Sequence, residues 1–128
     1  MVTFRNVLAL GVFLFGTTYL WLTPSFVGKS ATGALWTVTQ VLAMVTILGF
    51  ALAAWGIFKA AGWWEPVLIL SAIVGMASVI PYWIGLQSVA GAVDAAAIEN
   101  AAGHILGAAL VLAALLVHPA EQWVIGKL

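Results

Sequence analysis

The fold is decided by residues 36–58, which read WTVTQVLAMVTILGFALAAWGIF and contain no Asp, Glu, Lys or Arg. A helix of about 20 apolar residues crosses the ~30 Å hydrocarbon core of a bilayer. The same composition extends along the chain, since 65% of the 128 residues are apolar and only 6% are charged. A water-soluble domain of this size needs a much larger charged surface. The sequence therefore predicts an integral membrane protein.

Further apolar segments flank this one on both sides, and prolines, glycines and charged residues separate them. Pro24 ends the first segment, Pro66 suits the first helical position of the third, and Asp94 suits the N-cap of the fourth. Alternation of period two is lacking, so a β-barrel is not favoured. Short connections between helices favour antiparallel neighbours. We predict a single all-α domain over residues 1–128, an integral membrane four-helix antiparallel bundle with spans at about 6–22, 36–58, 66–86 and 95–117.

Basic residues predict the orientation of this bundle. Arg5, Lys59 and Lys127 fall on one side of the predicted spans, and Lys29 falls on the other. Because short cytoplasmic loops carry the excess of Lys and Arg, we expect both termini to be cytoplasmic. We expect a prokaryotic inner (cell) membrane and an interfacial tail over the last ten residues. The tryptophans fit as interface anchors, with Trp63 and Trp64 at the inner interface and Trp21, Trp36 and Trp83 at the outer one.

The composition excludes several classes of function. The formal net charge is zero, which gives no basic field to attract nucleic acid. Cysteine is lacking, which excludes disulfides, thiol catalysis and zinc–thiolate or iron–sulfur ligation. His104 and His118 are the two histidines, and about 21 Å of helix separates them, too far for a shared metal ion. We therefore expect no metal, no cofactor and no nucleic-acid partner.

Hydrogen-bonding side chains gather toward the outer end of all four predicted spans. The inner halves are nearly bare, since residues 7–15, 47–58 and 105–117 contain no ionisable side chain. Polar groups in lipid are costly and tend to face a bundle interior. A polar level above an apolar floor predicts a cup open to the outer face, whereas a pore needs polar lining from end to end. The side chains expected to bind a ligand in this cup are Tyr19, Gln40, Tyr82, Trp83, Asn100 and His104.

The last span carries the sharpest local pattern. Asn100 and His104 are four residues apart and share one helix face. Glu99 lies about 140° from His104 around the helix. If the protein is an enzyme, His104 with Glu99 or Asp94 would transfer protons, because histidine exchanges protons near neutral pH. A plainer role stays open for each: His104 can join helices, Glu99 can be hydrated at the interface, and Asp94 can act only as an N-cap.

Residues 48–75, LGFALAAWGIFKAAGWWEPVLILSAIVG, resemble the second and third spans of small DoxX-like membrane proteins. Gly11, Gly16 and Pro24 are also similar to that group. The resemblance implies a four-helix membrane protein of about this length. Some DoxX-like proteins are associated with thiosulfate–quinone oxidoreduction or with redox-linked membrane complexes. No residue here matches a redox motif, and the lack of cysteine argues against direct sulfur chemistry.

Three functions are compatible with these features. The leading prediction is that the cup binds a lipophilic small molecule such as a lipid, a quinone or an isoprenoid. The first alternative is a membrane-embedded acid–base enzyme, an isomerase, hydratase or cyclase, acting on such a molecule. The second alternative is a small oligomeric transporter. The expected partners are membrane lipid and the lipophilic molecule, with a homo-oligomer or a larger membrane complex as the assembly.

Overall fold

A computed structural model describes residues 2–27, 33–89 and 91–128, and these residues form helices and connecting turns without a strand. Lys29, which the predicted orientation uses, lies outside the described residues. Four helical segments are long and apolar enough to cross a membrane, which confirms the predicted all-α bundle of membrane spans. The elements are α1 (Phe4–Thr17), a 3₁₀ helix (Thr18–Leu22), α2 (Pro24–Val27), α3 (Ala34–Phe58), α4 (Trp64–Gln87), α5 (Ala95–Leu116) and α6 (His118–Lys127).

The first span tightens from an α-helix into a 3₁₀ helix at Thr18. The Thr18 hydroxyl lies 2.6 Å from the carbonyl oxygen of Phe15, three residues earlier. Side chains three residues apart eclipse one another in a 3₁₀ helix. Tyr19 and Leu22 therefore share one face of it, and both are fully buried. The 3₁₀ helix therefore directs these two side chains toward the interior of the bundle.

The packing places α3 at the centre of the bundle, where it lies against both α1 and α4. On its other side α4 packs against α5, and α5 reaches the first span mainly at the 3₁₀ helix. Two glycines permit this close packing: a methyl group at Gly16 would meet the Phe50 side chain, and one at Gly49 would meet Ser71. Small residues let membrane helices approach closely.

Two boundaries differ from the sequence prediction. Helix α4 begins at Trp64, so Pro66 is its third residue rather than its first. The third N–H of a helix also has no intrahelical partner, which is why proline is tolerated there. The fourth span ends at Leu116, one residue before its predicted end, and beyond the break at Val117 the predicted interfacial tail is the helix α6 over His118–Lys127. Pro119 lies in the first turn of α6, where its fixed φ suits a helix start.

Both termini lie at the same end of the bundle. The Arg5 guanidinium donates to the carbonyl oxygen of Ile57 at 2.8 Å and to that of Leu128 at 3.3 Å. The Phe4 and Trp123 rings meet edge to face, with centroids 6.0 Å apart. This arrangement agrees with an even number of crossings. The side of the membrane that this end faces stays a prediction.

The tryptophans divide into buried and exposed sets. Trp36 is 2% exposed and Trp64 is 8% exposed, which corrects their predicted role as interface anchors. Trp36 is accommodated because Gly85 presents no side chain to its indole ring. Trp21 and Trp63 remain exposed, as interface anchors would be.

Candidate functional site

His104 lies on the buried face of α5, where that helix meets the 3₁₀ helix, and it is 4% exposed. Its Nδ1 lies 2.7 Å from the carbonyl oxygen of Asn100. Because a carbonyl oxygen only accepts, Nδ1 is the donor and carries a proton. Its Nε2 lies 3.0 Å from both the hydroxyl and the carbonyl oxygen of Thr18. His104 thus joins the fourth span to the first.

The Thr18 hydroxyl has two acceptors within reach, Nε2 of His104 at 3.0 Å and the carbonyl oxygen of Phe15 at 2.6 Å. With a neutral imidazole, the hydroxyl donates to Nε2. With a doubly protonated ring, Nε2 donates to the Thr18 carbonyl and the hydroxyl donates to Phe15. In either arrangement both ring nitrogens bond to protein atoms, so His104 serves as a bridge between helices.

Aromatic rings surround the imidazole. The ring centroids of Phe15, Tyr19 and Trp21 lie 6.2, 4.6 and 6.3 Å from that of His104. Phe15 reaches α5 because Gly107 leaves room for its ring, which a methyl group there would meet. Tyr19 comes close because the 3₁₀ helix turns it inward. The imidazole is thereby held in one position.

Asn100 forms a second polar centre, one helical turn before His104. Its Nδ2 donates to the carbonyl oxygen of Trp21 and to the Tyr82 hydroxyl, each at 3.0 Å. The Trp21 carbonyl oxygen only accepts, so the amide must direct its nitrogen toward it. That carbonyl is free because its 3₁₀ partner would be the N–H of Pro24, which proline lacks. The Asn100 amide therefore connects the 3₁₀ helix with α4 and α5.

The Asn100 side-chain oxygen takes part in neither of these bonds. Oδ1 is buried and has no hydrogen-bond partner among the described residues. A buried acceptor without a partner costs about 1–3 kcal/mol. Oδ1 has essentially no accessible surface, so it is closed to water and to a ligand while Asn100 keeps these bonds.

A groove of about 600 Å³ runs beside this cluster, between the end of the first span and α5. A second recess of about 320 Å³ lies next to it and shares Trp21, Phe26 and Asn100 with it. Both lie at the end of the bundle opposite the termini. The groove is lined by Phe15, Thr18, Trp21, Phe26, Ala96, Glu99, Asn100, Gly103 and His104.

Four of the side chains expected to bind a ligand lie together: Tyr19, Tyr82, Asn100 and His104. Gln40 is not among them, since it lies exposed on α3, one residue after the buried Thr39. Neighbouring helical residues point about 100° apart, so a residue next to a buried one faces elsewhere. The structure therefore separates Gln40 from the cluster.

Trp83 is also separated from the cluster. It follows the buried Tyr82 and lines an apolar groove between α4 and α5, with residues such as Ile80 and Ile105. The polar groups of Asn100 and His104 do not line that groove in the described part of the chain. Trp83 thus lies on a different face of α4 from the one predicted for it.

The two acidic candidates lie at the rim of the site. Asp94 is the N-cap of α5, as predicted, and its Oδ1 accepts from the Ala97 N–H at 2.8 Å. It also lines the second recess. Glu99 is exposed and lines the groove with His104, although the two point in different directions from the helix. Neither carboxylate bonds to the His104 ring, whose nitrogens contact Thr18 and Asn100.

Sequence reasoning missed the aromatic wall of the groove and the two backbone acceptors beneath it. In the sequence, Trp21 and Phe26 are distinguished only as apolar side chains near an interface. The lack of a backbone partner for the Trp21 carbonyl could have been predicted from Pro24, three residues later, which lacks the N–H that would bond to it. The Thr18 carbonyl had none, because its meeting with His104 depends on how the spans pack.

The charges divide between the two ends of the bundle. Asp94 and Glu99 are the charged residues at the groove end, within the part of the chain that the structure describes. At the opposite end the Glu65 and Glu121 carboxyls lie beside each other. The basic residues at that end are Arg5, Lys59 and Lys127.

No protein-family model, curated protein or solved structure matches this chain. The resemblance to DoxX-like proteins therefore stays a prediction. Across residues 2–27, 33–89 and 91–128, no three His, Asp or Glu side chains are grouped as a metal site would need. The site is best characterised by its hydrogen bonds and by the shape of the groove.

Proposed function

We propose that the groove between the end of the first span and α5 binds a lipophilic small molecule by its polar end. The observation that carries this proposal is the groove of about 600 Å³, which has aromatic walls and lies beside the Asn100–His104 cluster. Ligand sites commonly have volumes of 300–1,000 Å³, with mostly apolar walls and a few polar groups. This groove combines the rings of Phe15, Trp21 and Phe26 with the polar groups of Asn100 and Glu99.

The ligand enters from the side, out of the membrane. Trp21 is 52% exposed and Phe26 is 60% exposed at the open edge of the groove. In a bilayer these rings face the interface and the upper hydrocarbon. The floor is open at Gly103, where a methyl group would have nothing within 4 Å. An apolar tail fits along this floor, with the polar end against Asn100.

Binding explains the geometry better than acid–base catalysis does. A general base must reach the proton that it removes, and both ring nitrogens of His104 are bonded to Thr18 and Asn100. A transport path is not favoured either. Below the cluster the hydroxyls of Thr46 and Ser71 donate to carbonyls of their own helices, so they offer no polar lining.

The test is photo-crosslinking with dodecyl amphiphiles that carry a diazirine near the end of the tail. We expect saturable labelling at the groove in the protein reconstituted in nanodiscs, mapped by mass spectrometry. Gly103→Leu fills the groove and should abolish that labelling. Gly11→Leu is the matched control, because Gly11 is exposed on α1 and also has nothing within 4 Å of a methyl group. Labelling that does not saturate, and that is equal in both variants, would refute the proposal.

A further inference from the structure

The ionised side chains that line the groove and the neighbouring recess are carboxylates, which only accept hydrogen bonds. Both N–H groups of the Asn100 amide are used, on the Trp21 carbonyl and on the Tyr82 hydroxyl. The Nδ1 proton of His104 is used on the Asn100 carbonyl, and Thr18 bonds to either Phe15 or His104. The donors that remain are the hydroxyl hydrogen of Tyr82 and the indole N–H of Trp21, and beside Tyr82 the buried indole N–H of Trp36 also has no partner among the described residues.

The acceptors open to the groove are stronger than these donors, because they carry negative charge. Oδ1 of Asn100 is not one of them, since it is buried and has essentially no accessible surface. The Glu99 side chain is exposed and lines the same groove, so its carboxylate is accessible to a bound molecule. Asp94 adds a second carboxylate at the neighbouring recess, with one oxygen accepting from Ala97. A ligand complementary to this set brings hydrogen-bond donors and positive charge.

The aromatic wall of the groove also favours a positively charged ligand. Trp21 and Phe26 line both the groove and the second recess, and both rings are exposed there. The face of an aromatic ring attracts a cation held within about 6 Å. No Lys or Arg of the described residues lines either space. Charge complementarity therefore favours a cation over an anion in this groove.

We propose that the ligand is an amphipathic ammonium compound, whose charge pairs with Glu99 and lies against the rings of Trp21 and Phe26. This inference rests on the proposed function and specifies the head group that the groove selects. A quinone or ketone carries no positive charge that could pair with Glu99 or lie against these rings. A fatty-acid carboxylate would bring a second negative charge beside Glu99.

The experiment compares three competitors that share one tail and differ in the head group: dodecylammonium, dodecanol and dodecanoate. Each displaces the diazirine amphiphile from the protein in nanodiscs of neutral lipid. We expect dodecylammonium to compete best and dodecanoate worst. Glu99→Gln should weaken dodecylammonium about three- to five-fold, the range of one exposed charge pair, and leave dodecanol unchanged. Higher salt should weaken dodecylammonium alone, because ions screen an exposed pair.

Glu121→Gln is the matched control, since it makes the same substitution at the opposite end of the bundle. It should leave all three competitors unchanged. If the three compete equally and Glu99→Gln has no effect, the ammonium inference is overturned while binding in the groove stands. If no competitor displaces the probe, and Gly103→Leu labels like the wild type, the proposed function itself fails. Glu99 is exposed, so its substitution leaves the packing of the bundle intact.

Discussion

The Thr18 hydroxyl lies 3.0 Å from Nε2 of His104, although 86 positions of sequence separate the two residues. This contact joins the first and fourth spans at the groove end. The Thr18 carbonyl oxygen lies at the same distance from the same nitrogen. His104 thus fixes one wall of the groove relative to the other, and its loss affects both stability and the shape of the site.

Replacing His104 by Ala should destabilise the protein by about 1–3 kcal/mol, because buried partners on Thr18 and Asn100 lose their hydrogen bonds. The measurement is the free energy of unfolding in mixed detergent micelles. His118→Ala is the matched control, since His118 is exposed at the start of α6. It should change stability by less than about 0.5 kcal/mol. Equal stability of the two variants would contradict the bridging role of His104.

The two tyrosines at the site should respond differently to loss of their hydroxyls. Tyr82→Phe removes the oxygen that accepts from Asn100 at 3.0 Å, so we expect a loss of about 0.5–1.5 kcal/mol. Tyr19→Phe removes a hydroxyl that lies 3.5 Å from the His104 carbonyl oxygen, at the limit of a hydrogen bond. Its stability should stay within about 0.5 kcal/mol of the wild type. The measurement is the free energy of unfolding of both variants by chemical denaturation. A larger loss of stability in Tyr19→Phe than in Tyr82→Phe would refute the hydrogen bond between Tyr82 and Asn100.

The orientation in the membrane can be tested with introduced cysteines, because the natural chain has none. Val2 and Val93 are exposed near opposite ends of the bundle. With the termini cytoplasmic, a membrane-impermeant maleimide should label Val93→Cys on intact cells and Val2→Cys only after lysis. The opposite pattern would place the groove in the cytoplasmic leaflet and overturn the predicted orientation.

The membrane spans could be predicted closely, because the length of an apolar run is fixed by the thickness of the bilayer. It was harder to predict which face of each span points toward the interior of the bundle. Gln40 and Trp83 were predicted at the site and lie elsewhere, since α3 and α4 are apolar on nearly every side and carry no stripe that marks the inner face. Asn100 and His104 were placed on a shared face by their spacing alone.

The remaining part of the site depends on packing that no local pattern reveals. The 3₁₀ helix turns Tyr19 inward, and its backbone carbonyls at Thr18 and Trp21 accept hydrogen bonds from α5. Backbone acceptors carry no residue type that a sequence motif can specify. Pro24, which frees the Trp21 carbonyl, was visible in the sequence only as a helix stop.

The first span is tied to the C-terminal part of the chain at both of its ends, by Thr18 to His104 and by Arg5 to Leu128. Between these ties, the described residues of α1 have little contact with α5. In a bilayer this interval would be open to acyl chains of lipid or to a neighbouring helix. We therefore expect a change in bilayer thickness to strain the Thr18–His104 and Arg5–Leu128 contacts together and to alter the opening of the groove.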